Sequence, residues 1–304
     1  MLAFYDPRTT TFTLIGPVES IGALEEIVVA HEYGHALQDA TWDLEGSRIK
    51  DLSRSDAILA QQALIEGDAT ALMYEWAERE LGFLDLLRVS AQALTDQDSR
   101  RLARMPDILR RQLEFPYLDG YAFVNAVRAR GGWDAVDEAW DVPPISTEQV
   151  LHPELYPDEL PVQIALPDVA AALGQGWIES YQQTLGEMQT HVWVADGRRP
   201  RSLFPVLPAQ LPRAEAAAGW GGDRLVSLDG PDGAWAVVWQ TDWDTEIDQQ
   251  EFRKAARDAV KDLPGAHEVA DADVTGGLSS PVLVTVADSD GTLRAVQAAL
   301  GLGS

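Results

Sequence analysis

Three residues within one short stretch have the types and spacing for hydrolytic chemistry. In Ile27-Val-Val-Ala-His31-Glu32-Tyr-Gly-His35-Ala-Leu-Gln38, two imidazoles stand four positions apart. On an α-helix that spacing puts both rings on one face. Neutral imidazoles so placed can grip a single Zn²⁺ ion, and Glu32, beside the first of them, can take a proton from water activated there. A structural zinc would want four protein ligands, usually with cysteine among them. This chain has no cysteine, so the pattern points to a centre that holds one Zn²⁺ and keeps a position for solvent.

A further donor is expected on a second helix. Ser53-Arg-Ser-Asp56 reads as a capping box that opens a helix over about 55–81. Leu59, Ala63, Glu66, Thr70 and Met73 then share one side of it. Glu66 is an acid on a largely apolar face, where an unpaired carboxylate is very costly to bury and a cation would satisfy it. The interval from His35 leaves room for one helix to end, a loop to turn back and the next to present the acid.

HEYGH followed by Leu64-Ile-Glu66-Gly67-Asp68-Ala69 resembles the gluzincin metallopeptidases, in which HExxH and a downstream Glu, written ExxA or EGxA, hold the zinc. The phrases HALQDATWDL and ALIEGDATAL resemble more closely a group of little-characterised prokaryotic metallopeptidases. The resemblance implies a zincin-like, mostly helical catalytic part with a small edge sheet, acting on peptide bonds. It implies His31, His35 and Glu66 as ligands and Glu32 as general base. Gly67, having no side chain, would let the two ligand-bearing helices approach closely. Asp39 and Asp68 stand either as acceptors that orient imidazole N–H groups or as solvated helix acids.

Phe115-Pro-Tyr117-Leu-Asp-Gly120-Tyr121-Ala-Phe123, leading into a helix, resembles the PYxxGxxF segment of gluzincin aminopeptidases. By position Tyr117 would be the hydroxyl donor to the tetrahedral intermediate. The other reading is an aromatic pair with Tyr121. Those aminopeptidases carry a GxMEN-type motif upstream; nothing like it precedes His31, which favours an endopeptidase. His152 follows the third ligand in chain order, as the transition-state histidine does in thermolysin-like enzymes, or it is a surface or capping residue.

The elements that must position these groups are legible in outline. Residues 3–16 alternate around Asp6-Pro7-Arg8 as a β-hairpin. By analogy with zincins, residues 11–15 could be the edge strand that pairs with extended substrate, or an ordinary sheet edge. Ser20 is placed to cap a helix over 21–40, and 82–112 reads as one or two amphipathic helices. PDELPVQ (157–163) reads as a linker between a zincin-like domain, 1–157, and a smaller α+β accessory domain, 158–304. In the latter we expect helices near 176–190, 246–262 and 290–300, and strands near 224–229, 234–241 and 281–287. Gly219-Trp-Gly-Gly-Asp-Arg224 reads as a turn. Asp242, Asp244, Glu246 and Asp248 resemble a calcium loop, but Ile247 and Arg253 stand where its glycine and last acid belong. They read instead as an acid-rich helix start. GWGGDR and WDTEIDQQEF also resemble the tail of the prokaryotic group, and the fold class expected for the whole is α+β.

The bulk numbers narrow the partners. A net charge of −26, from 23 basic and 49 acidic residues, repels nucleic acid and anionic membranes; the peptide or protein substrate is what the metallopeptidase resemblance implies. The absence of cysteine removes disulfides and thiol catalysis. No apolar run approaches a membrane span of ~20 residues. The opening MLAFYD lacks the features of a signal peptide, so an extracellular or envelope address requires a targeting segment outside this chain; otherwise the address is cytoplasmic. Because so little precedes the first helix, the alternative function is a zincin-fold binding or assembly protein with a structural metal. A di-iron bundle would need two Glu-x-x-His repeats, and Glu32–His35 is the one present.

Overall fold

The opening alternation forms the expected hairpin in the computed structural model, which describes residues 3–15, 22–85, 89, 101–102, 104–195, 215–271 and 281–302. Strand β1 (Ala3–Asp6) pairs antiparallel with β2 (Thr11–Leu14), with Tyr5 opposite Phe12. Ser20 and much of 82–112 lie outside the described residues. Helix α1 (Ala23–Trp42) starts at Gly22, whose N–H donates to Glu25 at 3.0 Å. It ends where Asp43 turns left-handed at φ 50, and the short α2 (Leu44–Ser47) follows.

Helix α3 (Ser55–Glu80) runs as expected, but the capping box at its start does not form. Asp56 accepts instead from the backbone N–H and hydroxyl of Thr147, at 3.1 and 2.6 Å. A distant donor outcompetes the local one because Asp56 is buried and needs more than one partner. Helix α4 (Asp107–Gly131) contains the Phe115–Phe123 segment in its middle, rather than starting after it, with Pro116 inside the helix. Proline there forfeits one backbone bond; Phe115, Gly120, Phe123 and Val124 are buried around it and hold the helix by packing. Helices α5 (Trp133–Asp141) and α6 (Thr147–Leu151) follow.

Glycine governs how these helices meet. A Cβ on Gly67 would stand 2.3 Å from the carbonyl of Gly120, and one on Gly120 would stand 2.2 Å from the oxygen of Ala63. The backbones of α3 and α4 therefore touch. Between α1 and α3 the tight point is Gly34, where a Cβ would lie 3.1 Å from the Cα of Ala69. Gly67 thus serves the approach of α4, and Gly34, inside HEYGH, serves the approach of the two candidate ligand helices. Sequence shows that glycine permits contact, but not which neighbour uses it.

The C-terminal region contains α7 (Val169–Leu173), β3 (Ile178–Gln183), α8 (Gly186–Val194), β4 (Trp220–Asp229), β5 (Trp235–Trp243), α9 (Glu246–Ala259), β6 (Ala266–Asp271), β7 (Val282–Ala287) and α10 (Asp290–Ala299). The five strands form one antiparallel sheet in the order β3-β4-β5-β7-β6. Val282, Val284 and Val286 pack with Phe252 and Ala256 of α9, while Leu283 and Ala287 pack with Leu293 and Val296 of α10. Alternate residues of β7 thus meet opposite layers, which is why VLVTVA reads as a continuous apolar run.

Three expectations change here. The helix near 176–190 is β3 followed by α8: β3 is an exposed edge strand without apolar alternation, and Gly186, at φ 75, starts the helix late. Of residues 219–224, Gly219 lies in a turn and Trp220–Arg224 open β4, with a register shift between Trp220 and Gly222. Strand β6 has only Val269 fully buried, too weak a pattern to be recognised. The 157–163 stretch is also tied down, since Val162 donates to the Gly221 carbonyl at 2.7 Å. Helices and strands together make the chain α+β. Among the described residues no helix is long and apolar enough to cross a membrane.

The sheet is fastened to the helices at the start of α3. Ser55 donates to the Thr184 carbonyl at 2.6 Å, and Met188 of α8 joins the core formed by Leu64, Phe115 and Phe123. Asp223 accepts from the N–H groups of Leu185 and Gly186 at 2.8 and 2.7 Å, and from Trp220 Nε1 at 2.9 Å.

Gly67→Ala forces α3 and α4 apart, so we expect a loss of about 1–3 kcal/mol in chemical denaturation. Gly82→Ala, where a Cβ meets Asp85 at an ordinary 3.6 Å, should change little. Burial raises Asp223 to about 6 in spite of its donors. Folding therefore favours the protonated acid. That contribution is full below the unfolded value of about 4 and is lost as pH rises through about 6. Between pH 4 and 7 the wild type should lose on the order of 3 kcal/mol relative to Asp223→Asn in denaturation titrations.

Candidate metal centre

His31 and His35, one turn apart on α1, meet Glu66 from the middle of α3. His31 Nε2 lies 3.2 Å and His35 Nε2 3.3 Å from Glu66 Oε2, and the two Nε2 atoms are 3.1 Å apart. The rings stand nearly perpendicular, at 89°. Donors 2.0–2.1 Å from a tetrahedral Zn²⁺ are about 3.3 Å from one another, so the triangle already has the edge length that the ion requires. With neutral imidazoles, three lone-pair donors face one another at these distances, which is unfavourable without a proton or a cation between them. The residues present fit Zn²⁺.

The electrostatics agree with that fit. Burial pushes the Glu66 carboxyl up, but the two imidazoles outweigh it and bring the group to about 2. Burial pushes His35 down, yet Glu66, Gln38 and Glu32 overcome this and raise it. The site is thus organised to hold positive charge beside an ionised carboxylate.

Behind His35 lies a relay that the sequence reading missed. His35 Nδ1 is 2.9 Å from Gln38 Oε1; Gln38 Nε2 donates to the Ile65 carbonyl at 3.0 Å and to Asp68 at 2.9 Å. Asp68 also accepts from Trp140 Nε1 at 3.2 Å, and Trp140 stacks on Trp42 with ring centroids 4.7 Å apart. Because the amide nitrogen of Gln38 is committed to acceptors, its oxygen receives the Nδ1 proton of His35 and leaves the Nε2 lone pair facing the site. Asp68 therefore orients an imidazole at one remove. Gln38 is three residues past His35 on the same helix, which was the available signal.

Asp39 touches neither imidazole. It accepts from the Tyr5 hydroxyl at 2.7 Å and from the Leu44 N–H at 3.0 Å, tying β1 to the end of α1. The Tyr5 phenol is pushed up to about 12, first by that hydrogen bond. The backbone N–H of Tyr5 donates to Glu32 Oε2 at 2.9 Å. The strand bordering Glu32 is consequently β1, and residues 11–15 lie beyond it on the far side of the hairpin.

Tyr117 is brought to the site from α4, its ring centroid 5.9 Å from that of His31. Desolvation, followed by the charge of Glu66, a hydrogen bond to it and the charge of Glu32, pushes its phenol up and keeps it a neutral donor. Tyr121 pairs instead with Tyr74, centroids 5.0 Å apart. Both tyrosines line a pocket of about 260 Å³ with Val28, His31, Met73 and Tyr74.

His152 is not part of this group. It caps α6, with Nε2 3.0 Å from Glu187 and Nδ1 3.7 Å from Glu154. Its neighbours gather near Asp56 at the start of α3, ten residues or about 15 Å along the helix from Glu66. Chain order placed His152 after the ligands, but the α3 axis separates them. For the centre itself, Gln38→Met should leave the His35 imidazole unsupported. We expect a 10–100-fold weaker Zn²⁺ affinity in chelator competition, with little change in helix content.

Residues 176–300 match the profile of a family described as "Domain of unknown function (DUF8575)", a span that contains β3 through α10 and none of the residues around the candidate metal centre. Comparisons with curated proteins and with solved structures return no match.

Proposed function

We propose that this chain is a zinc-dependent peptidase of the gluzincin type, hydrolysing internal peptide bonds. The observation that carries the reading is the convergence of His31 Nε2, His35 Nε2 and Glu66 Oε2 at tetrahedral edge distances. A Zn²⁺ held there supplies Lewis acidity, lowering the pKa of a water toward about 7 and polarising a carbonyl.

The chain's own residues supply the rest. Glu32 is held through one oxygen by the Tyr5 N–H, which leaves the other to take a proton from the attacking water and pass it to the leaving amine nitrogen. Tyr117, kept protonated by desolvation and by the nearby carboxylates, donates to the substrate carbonyl oxygen as charge develops on it. The apolar pocket beside His31 has room for a hydrophobic side chain next to the scissile bond.

Glu32→Gln tests the reading directly. Zinc content by elemental analysis should be unchanged, while cleavage of casein or a mixed peptide library falls about 10²–10⁴-fold. Cleavage at the wild-type rate would overturn the assignment of the base. A zinc-loaded wild type that cleaves nothing in a chelator-sensitive manner would favour a binding protein instead.

A further inference from the structure

Near the start of α3 lies a second group of acids, independent of the peptidase reading. One carboxylate oxygen each from Glu148 on α6, Glu159 in the segment after it and Asp244 between β5 and α9 lie within 4.8 Å of one another. Glu148 is 3% exposed, and its buried Oε1 accepts no hydrogen bond. An ionised carboxylate buried beside other acids costs several kcal/mol unless something compensates it. No lysine or arginine forms an ion pair with any of these three among the described residues.

We propose that Glu148, Glu159 and Asp244 form a Ca²⁺ site that clamps α6 to the turn between β5 and α9. The donors are all carboxylate oxygens, with no imidazole among the three, which selects a hard cation over zinc. Ca²⁺ takes oxygens at 2.3–2.6 Å in flexible geometry, so three donors within 4.8 Å of one another can share one ion; Mg²⁺ gives up its waters reluctantly and is seldom held by protein carboxylates alone. Asp244 is exposed and Glu159 partly so, leaving an open side for the waters that complete a Ca²⁺ shell.

The ligands come from three separate segments rather than from one contiguous calcium loop, and of the Asp242–Asp248 run Asp244 is the residue that takes part. Within that run Asp248 is spent on the Thr245 hydroxyl at 2.6 Å, capping α9, while Asp244 faces residues almost a hundred positions earlier. The competing state is a protonated Glu148: without a cation, burial and then Glu187, Asp244, Glu159 and Asp56 push it up to about 10. His152 contributes its bond to Glu187 at the margin of the cluster.

The test uses the full chain, stripped of metal by chelation. CaCl2 at millimolar concentration should raise the wild-type melting temperature by roughly 5 °C or more, with one site in titration calorimetry. Mg²⁺ should shift it less. The Glu159→Gln/Asp244→Asn double variant changes exposed or half-exposed positions, so it should fold and lose the Ca²⁺ shift; Glu66→Gln should keep it. Absence of both heat and shift with Ca²⁺ in the wild type, or an equal shift in the double variant, overturns the site. A Mg²⁺ shift as large as that of Ca²⁺ overturns the choice of ion.

Discussion

Helices without a small residue at their crossing could not bring His31 and His35 against Glu66. The approach of α1 to α3 is set at Gly34, whose missing side chain leaves room for the Ala69 backbone. A Cβ there would press on the Ala69 backbone at 3.1 Å and push the two helices apart by a few tenths of an ångström, beside a donor triangle with edges of 3.1–3.3 Å. The same device recurs between Gly67 and Gly120, where α4 carries Tyr117 toward the imidazoles. Close backbone approach is the constraint on which the centre rests.

Around that triangle the chain invests in orientation. Gln38 and Asp68 hold one imidazole through a chain of hydrogen bonds that ends at Trp140. Tyr5 serves twice: its N–H steadies Glu32, and its hydroxyl ties β1 to Asp39. The small hairpin is thus a brace for the proposed base. Without those bonds a two-stranded ribbon would be marginal in water.

Helix α3 acts as the beam of the molecule. Its middle carries Glu66, while its start receives Thr147 through Asp56 and the sheet through Ser55. Two of the buried acids near that start are held by donors: Asp56 by the N–H and hydroxyl of Thr147, and Asp223 by two backbone N–H groups and the Trp220 indole. Asp56 lies well above the usual carboxylate range because burial outweighs those bonds. The join between the helices and the sheet therefore sets buried acids beside the apolar contact of Met188, which makes it sensitive to protons and to cations.

The amino-acid sequence by itself determined the candidate site and the broad class: the His-x-x-x-His spacing with Glu32, the acid on an apolar face at Glu66, the mixture of helices and strands and the interior strand Val282–Ala287 are all written in local periodicity. Tertiary structure alone decided which groups serve them. His152, which chain order offered either to the site or to a cap, caps α6 beside Glu187, because direction along α3 is invisible in a list of residues. Asp39 went to Tyr5 and Asp56 to Thr147, since a buried carboxylate takes whichever donors the packing delivers. Edge strand β3 and the weakly patterned β6 exist because β4 and β7 offer them backbone partners. Spacing is a property of one helix or strand; partnership belongs to two, and only the packed chain says which two meet.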